Sequence, residues 1–239
     1  MVEVRSGLVP RATGARGALT PMFVLATAVL LGGCGAVSRQ ARGAVRADYL
    51  PLRVGAVWRY QIAADDGRTG TGTVRVDGLD YDAVDDGVAY RVREDLLDGT
   101  LWVWETNKGG RVTCAQQEVD DPAGAVRDEE TYDPPITVLD ERATRMVAGA
   151  SWPEAFLDTA PNMRGHPKTK RAEVKWEVES LAEPVTVPAG TFTCLRVRRT
   201  RKHHPPLVSW YAKGVGLVKQ QGAGLLGDQT LALVEARLP

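Results

Sequence analysis

The sequence predicts a mostly β protein, antiparallel, with little helix after its first 33 residues. Three observations predict it. Apolar and polar residues alternate with period two in segment after segment, Asp-Gly and Gly-Gly turn signals recur at short intervals, and amphipathic runs of helical length are nearly absent after Cys34.

The N-terminal segment stands apart from this pattern. Arg5, Arg11 and Arg16 face a single acid, Glu3, and the apolar run Met22–Leu31 follows. As a helix that run would reach about 15 Å, half of a bilayer core of about 30 Å, so it is too short to anchor the chain. A basic start, a short apolar stretch and small residues at its exit are the marks of a cleavable export signal. The exit reads Leu31-Gly32-Gly33-Cys34 and resembles the bacterial lipobox, in which the thiol is acylated and the preceding bond is cut. Residues 1–33 are therefore expected to be a lipoprotein signal peptide and Cys34 the site of lipid attachment. Residues 34–48 are small, polar and aperiodic, the composition of a tether. Gly35 stands where an aspartate would, by resemblance to enterobacterial sorting, retain a lipoprotein at the inner membrane, which favours the periplasmic face of the outer membrane.

Residues 49–239 are long enough for one sizeable core and are expected to form a single β-rich domain. In its first part Trp58, Tyr60 and Ile62 alternate with Val57, Arg59 and Gln61, Val74 and Val76 flank Arg75, and Val88, Tyr90 and Val92 alternate with Ala89, Arg91 and Arg93. Turn signals at Asp65-Asp66-Gly67, Asp85-Asp86-Gly87, Asp98-Gly99 and Lys108-Gly109-Gly110 separate these runs. Residues 120–140 are rich in acid and carry Asp133-Pro134-Pro135, the signature of a long connection. Short helical turns are expected near 140–147 and 152–157. Alternation resumes at Val174, Trp176 and Val178. Gly55-Ala56-Val57-Trp58 opens the first set of strands and Gly149-Ala150-Ser151-Trp152 precedes the second. This internal echo implies two curved half-sheets packed into one body of about ten strands.

Three segments carry a family resemblance: residues 49–60, residues 187–197 (Val187-Pro188-Ala189-Gly190-Thr191-Phe192 onward) and residues 210–219 (Trp210-Tyr211-Ala212-Lys213-Gly214-Val215-Gly216 onward). Together they resemble uncharacterised bacterial envelope lipoproteins of the TapB-like group, whose sheets are similar to the LolA/LolB half-barrels. The resemblance implies a curved antiparallel half-barrel in the cell envelope and brings no activity or catalytic residue with it. The basic run Arg196–His204 is a departure from that pattern.

Chemistry leaves few candidates. The chain balances 30 basic against 30 acidic residues, and three of the basic but one of the acidic fall in the signal, so nothing draws it to nucleic acid. No Gly-x-Ser-x-Gly is present, and the paired aspartates sit in turns, where they serve the backbone. His166, His203 and His204 lack zinc-site spacing, and Asp80, Asp82, Asp85 and Asp86 lack the closing glutamate of a calcium loop. A non-enzymatic protein without metal or cofactor is the expectation. Cys114 and Cys194 remain as one candidate disulfide in an oxidising compartment. Trp58, Trp102, Trp104 and Trp176 are candidates to line an apolar groove suited to an acyl chain. Arg196, Arg198, Arg199, Arg201 and Lys202, with Lys168, Lys170, Arg171 and Lys175 on a neighbouring strand, are candidates to touch an anionic surface such as lipid headgroups. Two function classes follow: a lipid-anchored binder of an apolar ligand or lipid, and an assembly module docking on another envelope protein.

Overall fold

A computed structural model describes residues 48–81, 87–121, 123–160, 167–224 and 227–239. The signal, Cys34 and the tether up to residue 47 lie outside these, as do His166 and the Asp82–Asp86 stretch.

Twelve strands follow one another: β1 (Val57–Ala64), β2 (Thr69–Asp80), β3 (Ala89–Leu96), β4 (Gly99–Lys108), β5 (Arg111–Asp120), β6 (Val126–Asp140), β7 (Ser151–Ala160), β8 (Lys168–Val187), β9 (Gly190–Arg201), β10 (Leu207–Ala212), β11 (Gly216–Gly224) and β12 (Gly227–Arg237). Each pairs antiparallel with its neighbours in sequence, and β1 pairs with β12 from Val57↔Arg237 to Ala64↔Gln229, so the sheet closes into a barrel. The expectation of antiparallel β holds. The sheet, however, does not stop at a half-barrel of about ten strands. No helix is found among the described residues to cover an open sheet, so the apolar face is buried by the sheet's own closure, which also removes both edges.

Two segments depart from expectation. Residues 126–140, expected as connection, form the strand β6. Residues 152–157, expected as a helical turn, belong to β7. Trp152 and Phe156 are four apart, a spacing that fits one face of a helix and one face of a strand equally; buried Trp152, Phe156 and Asp158 show the period to be two. Near 140–147 a single helical turn does form, with Arg145 and Met146 both donating to the Arg142 carbonyl.

The internal echo is structural. Gly55 N donates to Val76 O and Val76 N to Ala56 O; Gly149 N donates to Val178 O and Val178 N to Ala150 O. Both glycines have left-handed φ, +89° and +81°. Bulges repeat as well: Val76/Gly78 between β2 and β3 matches Val178/Ser180 between β8 and β9, and Trp104/Glu105 between β4 and β5 matches Trp210/Tyr211 between β10 and β11. The barrel is thus two six-stranded repeats, and a strand's counterpart lies six places round the ring. Because an L-residue strains in that left-handed conformation, Gly55→Ala and Gly149→Ala are each expected to cost about 1–2 kcal/mol, read as matching shifts in denaturant midpoint. Loss at one position alone would contradict the equivalence.

The N-terminal segment closes one end, called the lower end here. Tyr49 N and Leu50 N donate to Glu141 Oε1 at 2.8 and 3.1 Å, and Gly214 N donates to Asp48 O. Crossing between these anchors, the chain buries Pro51 and Leu52. β2, β4, β6, β8 and β10 end at this lower end, and β3, β5, β7, β9 and β11 begin there.

Candidate functional site

Inward positions of a closed barrel can be filled by side chains or leave a lumen. Here a lumen remains, in three lobes that share lining residues. The lower lobe, about 100 Å³, is walled mostly by apolar groups: Leu50 and Leu52 of the plug, with Trp58, Val92, Leu217 and Leu231. The middle lobe, about 130 Å³, is polar and includes Glu94, Glu105, Gln117, Arg199, Ser209, Tyr211, Gln220 and Gln229. The upper lobe, about 120 Å³, runs past Tyr132, Phe156, Arg199 and Arg201 to exposed His204 and Pro205 in the β9–β10 turn. Glu94, Glu105, Tyr211 and Gln220 line both lower and middle lobes, while Gln117, Ile136, Arg199 and Leu207 line both middle and upper.

Among the described residues, Glu94, Glu105 and Arg199 in this lumen have no hydrogen-bond or ion-pair partner. Glu105 is 7% exposed. Burial pushes Glu94 up to about 7. Burial, and then the neighbouring Glu94 charge, push Glu105 up to about 8. Burial also lowers Arg199 from its ordinary value. Arg199 lies over the face of Trp176, 5.9 Å from the ring centre. Several other inward polar groups are satisfied: Trp58 Nε1 donates to Val215 O (2.6 Å), Tyr60 OH to Leu217 O (2.9 Å) and Tyr132 OH to Glu130 (2.6 Å). Arg201 pairs with buried Asp158 at 2.6 Å.

The repeat shows how the lumen was specialised. In the first half Glu94 lies two residues past Val92, the partner of Val76; in the second Arg199 lies two residues past Val197, the partner of Val178. Glu105 and Tyr211 follow the matched bulges. Equivalent wall positions therefore carry a carboxylate in one half and a guanidinium or phenol in the other.

One seam interrupts the wall. β6 and β7 pair only at Thr131↔Thr159, Tyr132↔Asp158 and Asp133↔Leu157. Below, Pro134 and Pro135 have no N–H to offer, and the ladder is replaced by a carboxylate. Glu154 accepts from Thr137 N (3.1 Å), Thr137 Oγ1 (2.9 Å), Arg111 Nη2 (2.5 Å) and Trp176 Nε1 (3.1 Å).

The tryptophans expected in one groove are divided between the two faces of the wall. Trp58 and Trp176 line the lumen. Trp102 and Trp104 alternate with the inward Leu101, Val103 and Glu105, so they face outward. There their indole N–H groups bond Asp120 and Asp80, and the Arg91 and Arg93 guanidinia lie over Trp102.

The basic run also divides by alternation. Outward Arg196 and Arg198 pair with Glu179 and Glu183. Arg199 and Arg201 turn into the lumen, and Lys202 is exposed in the turn. The five do not form one anionic-contact surface.

The expected disulfide is not formed. Cys114 and Cys194 are free and buried, on β5 and β9, four strands apart. Cys114 faces Glu105 across β4–β5 on the lumen side, whereas Cys194 pairs with Ala212, next to inward Tyr211, and so points the other way. Burial raises both thiols, Cys194 to about 11. Among the described residues no cluster of metal-binding side chains is present.

Two solved structures match the chain at low similarity. One is a "putative exported protein with YmcC-like fold" from Bacteroides fragilis, 15% identical over 79% of this chain and 98% of that one, with a TM-score of 0.47. The other is a "putative lipoprotein" from Parabacteroides distasonis, 13% identical with the same coverage and a TM-score of 0.38. No family model and no curated protein matches the sequence.

Sequence reasoning missed Glu94, Glu105 and Tyr211. The signal was there in the alternation: Val92–Glu94–Leu96, Leu101–Val103–Glu105 and Leu195–Val197–Arg199 each place a charge in an inward, otherwise apolar series.

Proposed function

We propose that this chain is a lipid-anchored, non-enzymatic protein of the bacterial envelope that holds a small amphiphilic molecule inside its barrel. The observation that carries the reading is the trio around one cavity, Glu105 buried and Glu94 and Arg199 half-buried, with no ion-pair or hydrogen-bond partner among the described residues. A barrel under selection for stability alone would pair such groups or replace them with apolar ones, since an unpartnered buried charge costs several kcal/mol. The polar middle lobe opens onto an apolar lower lobe, the arrangement that suits a molecule with a polar head and an apolar body. Anchorage rests on the Leu31–Cys34 pattern after a short apolar run, and the outer membrane is the proposed address.

Mass spectrometry of the chain isolated from its native envelope tests both parts. The denatured chain is expected to begin at Cys34 with fatty acyl groups on it. Under native conditions it is expected to carry one additional small organic molecule, lost on unfolding. An unacylated Cys34 would sink the anchor; a lumen empty in every native preparation would sink the binding role.

A further inference from the structure

Resting on the lumen as a ligand site, we propose that its ligand is a zwitterion with a compact apolar body, its ammonium group seated beside Glu94 and Glu105 and its anionic group at Arg199. Opposed placement of the charges comes from the repeat. β3 and β9 are six strands apart in a ring of twelve, and Glu94 and Arg199 occupy matching positions on them. They therefore look at each other across the lumen from opposite walls, and no ion pair joins Arg199 to either carboxylate. Glu105 projects from β4, beside β3, on the same wall as Glu94.

The chemistry of the trio selects the ligand. An ammonium offers three donors and can serve two carboxylates at once; a carboxylate can take both forks of a guanidinium. A plain fatty acid would satisfy Arg199 and leave both glutamates unserved. A plain amine would do the reverse. Only a molecule bearing both charges answers all three groups, and the charges must stand far enough apart to reach opposite walls. Its apolar body has the lower lobe, about 100 Å³, roughly two thirds of the ~150 Å³ of an engineered cavity that accepts benzene, and continuous with the middle lobe. An apolar dipeptide is the simplest molecule that meets these conditions.

Three probes with one body separate the charges: Leu-Leu, its N-acetylated form and its C-terminal amide. Binding to the full chain is measured by isothermal titration calorimetry. Leu-Leu is expected to bind about tenfold or more tighter than either capped form, the worth of one charge-assisted contact. Arg199→Gln should bring Leu-Leu down to the level of its amide, Glu105→Gln toward that of its acetylated form, and Arg199→Lys should retain part of the affinity. Thermal melts confirm that each variant is folded. If a capped form binds as well as Leu-Leu, and Val92→Trp in the lower lobe abolishes that binding, the zwitterion is overturned while the lumen remains a ligand site. Absence of binding by all three probes also overturns it, and the native-ligand measurement then decides the lumen reading separately.

Discussion

Glu154→Ala is expected to lower the unfolding free energy by about 3–5 kcal/mol, the range for stripping one partner from a buried ionic network. The size follows from how many groups the carboxylate serves. Thr137 N–H, Thr137 Oγ1, the Arg111 guanidinium and the Trp176 indole N–H all donate to it, and its side chain is only 9% exposed. Elsewhere in the ring a backbone carbonyl does this work for a backbone N–H. At the seam Pro134 and Pro135 interrupt the ladder, and β7 answers with a side chain. Glu154→Gln keeps an acceptor for Thr137 but loses the charge opposite Arg111, so it should recover part of the deficit. Denaturant unfolding gives the totals. Amide exchange at Thr137 gives the location: it should accelerate in both variants, more in the alanine one, while Val112 in β5 stays protected. A loss below about 1 kcal/mol would mean that β6 and β7 are held together by other contacts.

Much of the wall was legible in the sequence because a strand reports its two faces locally. Trp58, Tyr60 and Ile62 against Arg59 and Gln61 are enough to orient β1 without knowing its neighbours. The echo of Gly55–Trp58 at Gly149–Trp152 was legible because a left-handed glycine and a buried tryptophan are demands of local geometry that each repeat must meet anew. Closure was not legible. It depends on Val57 meeting Arg237 and Ile62 meeting Leu231, pairings between the two ends of the domain that leave no local trace. β6 was hidden for a different reason: acids and prolines ordinarily mark a connection, and here they lie on a strand whose seam side needs few N–H donors. The lumen trio was written as inward charges in apolar series, but whether an inward position faces a packed core or a cavity is decided by the number of strands in the ring. Alternation shows that Trp102 and Trp104 share a face and that Arg198 and Arg199 do not, but which face of each strand turns inward depends on its neighbours in the ring. In the closed ring, alternation sends Trp102 and Trp104 out while Trp58 and Trp176 go in, and it divides Arg196 and Arg198 from Arg199 and Arg201.

The barrel is expected to become less stable as pH rises from about 5 to about 8. Glu94 and Glu105 are held up at about 7 and about 8 in the folded chain, chiefly by burial. In the unfolded chain both titrate near the ordinary glutamate value of about 4.3. Below that value both states are protonated and the two groups contribute no pH dependence. Between it and about 7–8 the unfolded chain has released protons that the native one retains, so each rise in pH favours unfolding, with a limiting slope of about 1.4 kcal/mol per pH unit for each carboxyl. Above about 8 the effect levels off. Asp66, Asp98, Asp140 and Glu235, all held below their ordinary values, act with the opposite sign and in a lower window, their stabilisation disappearing only in stronger acid. Melting temperature against pH should therefore peak near pH 5 and decline toward pH 8. The double change Glu94→Gln and Glu105→Gln should flatten that decline and raise the melting temperature at pH 8 above that of the unaltered chain. If the double variant keeps the slope, the two carboxyls do not carry the dependence. A ligand ammonium reverses their preference, since it binds the ionised carboxylates better than the neutral acids. Saturating ligand should accordingly stabilise the barrel more at pH 8 than at pH 5, whereas a ligand acting through its apolar body alone would stabilise it equally at both.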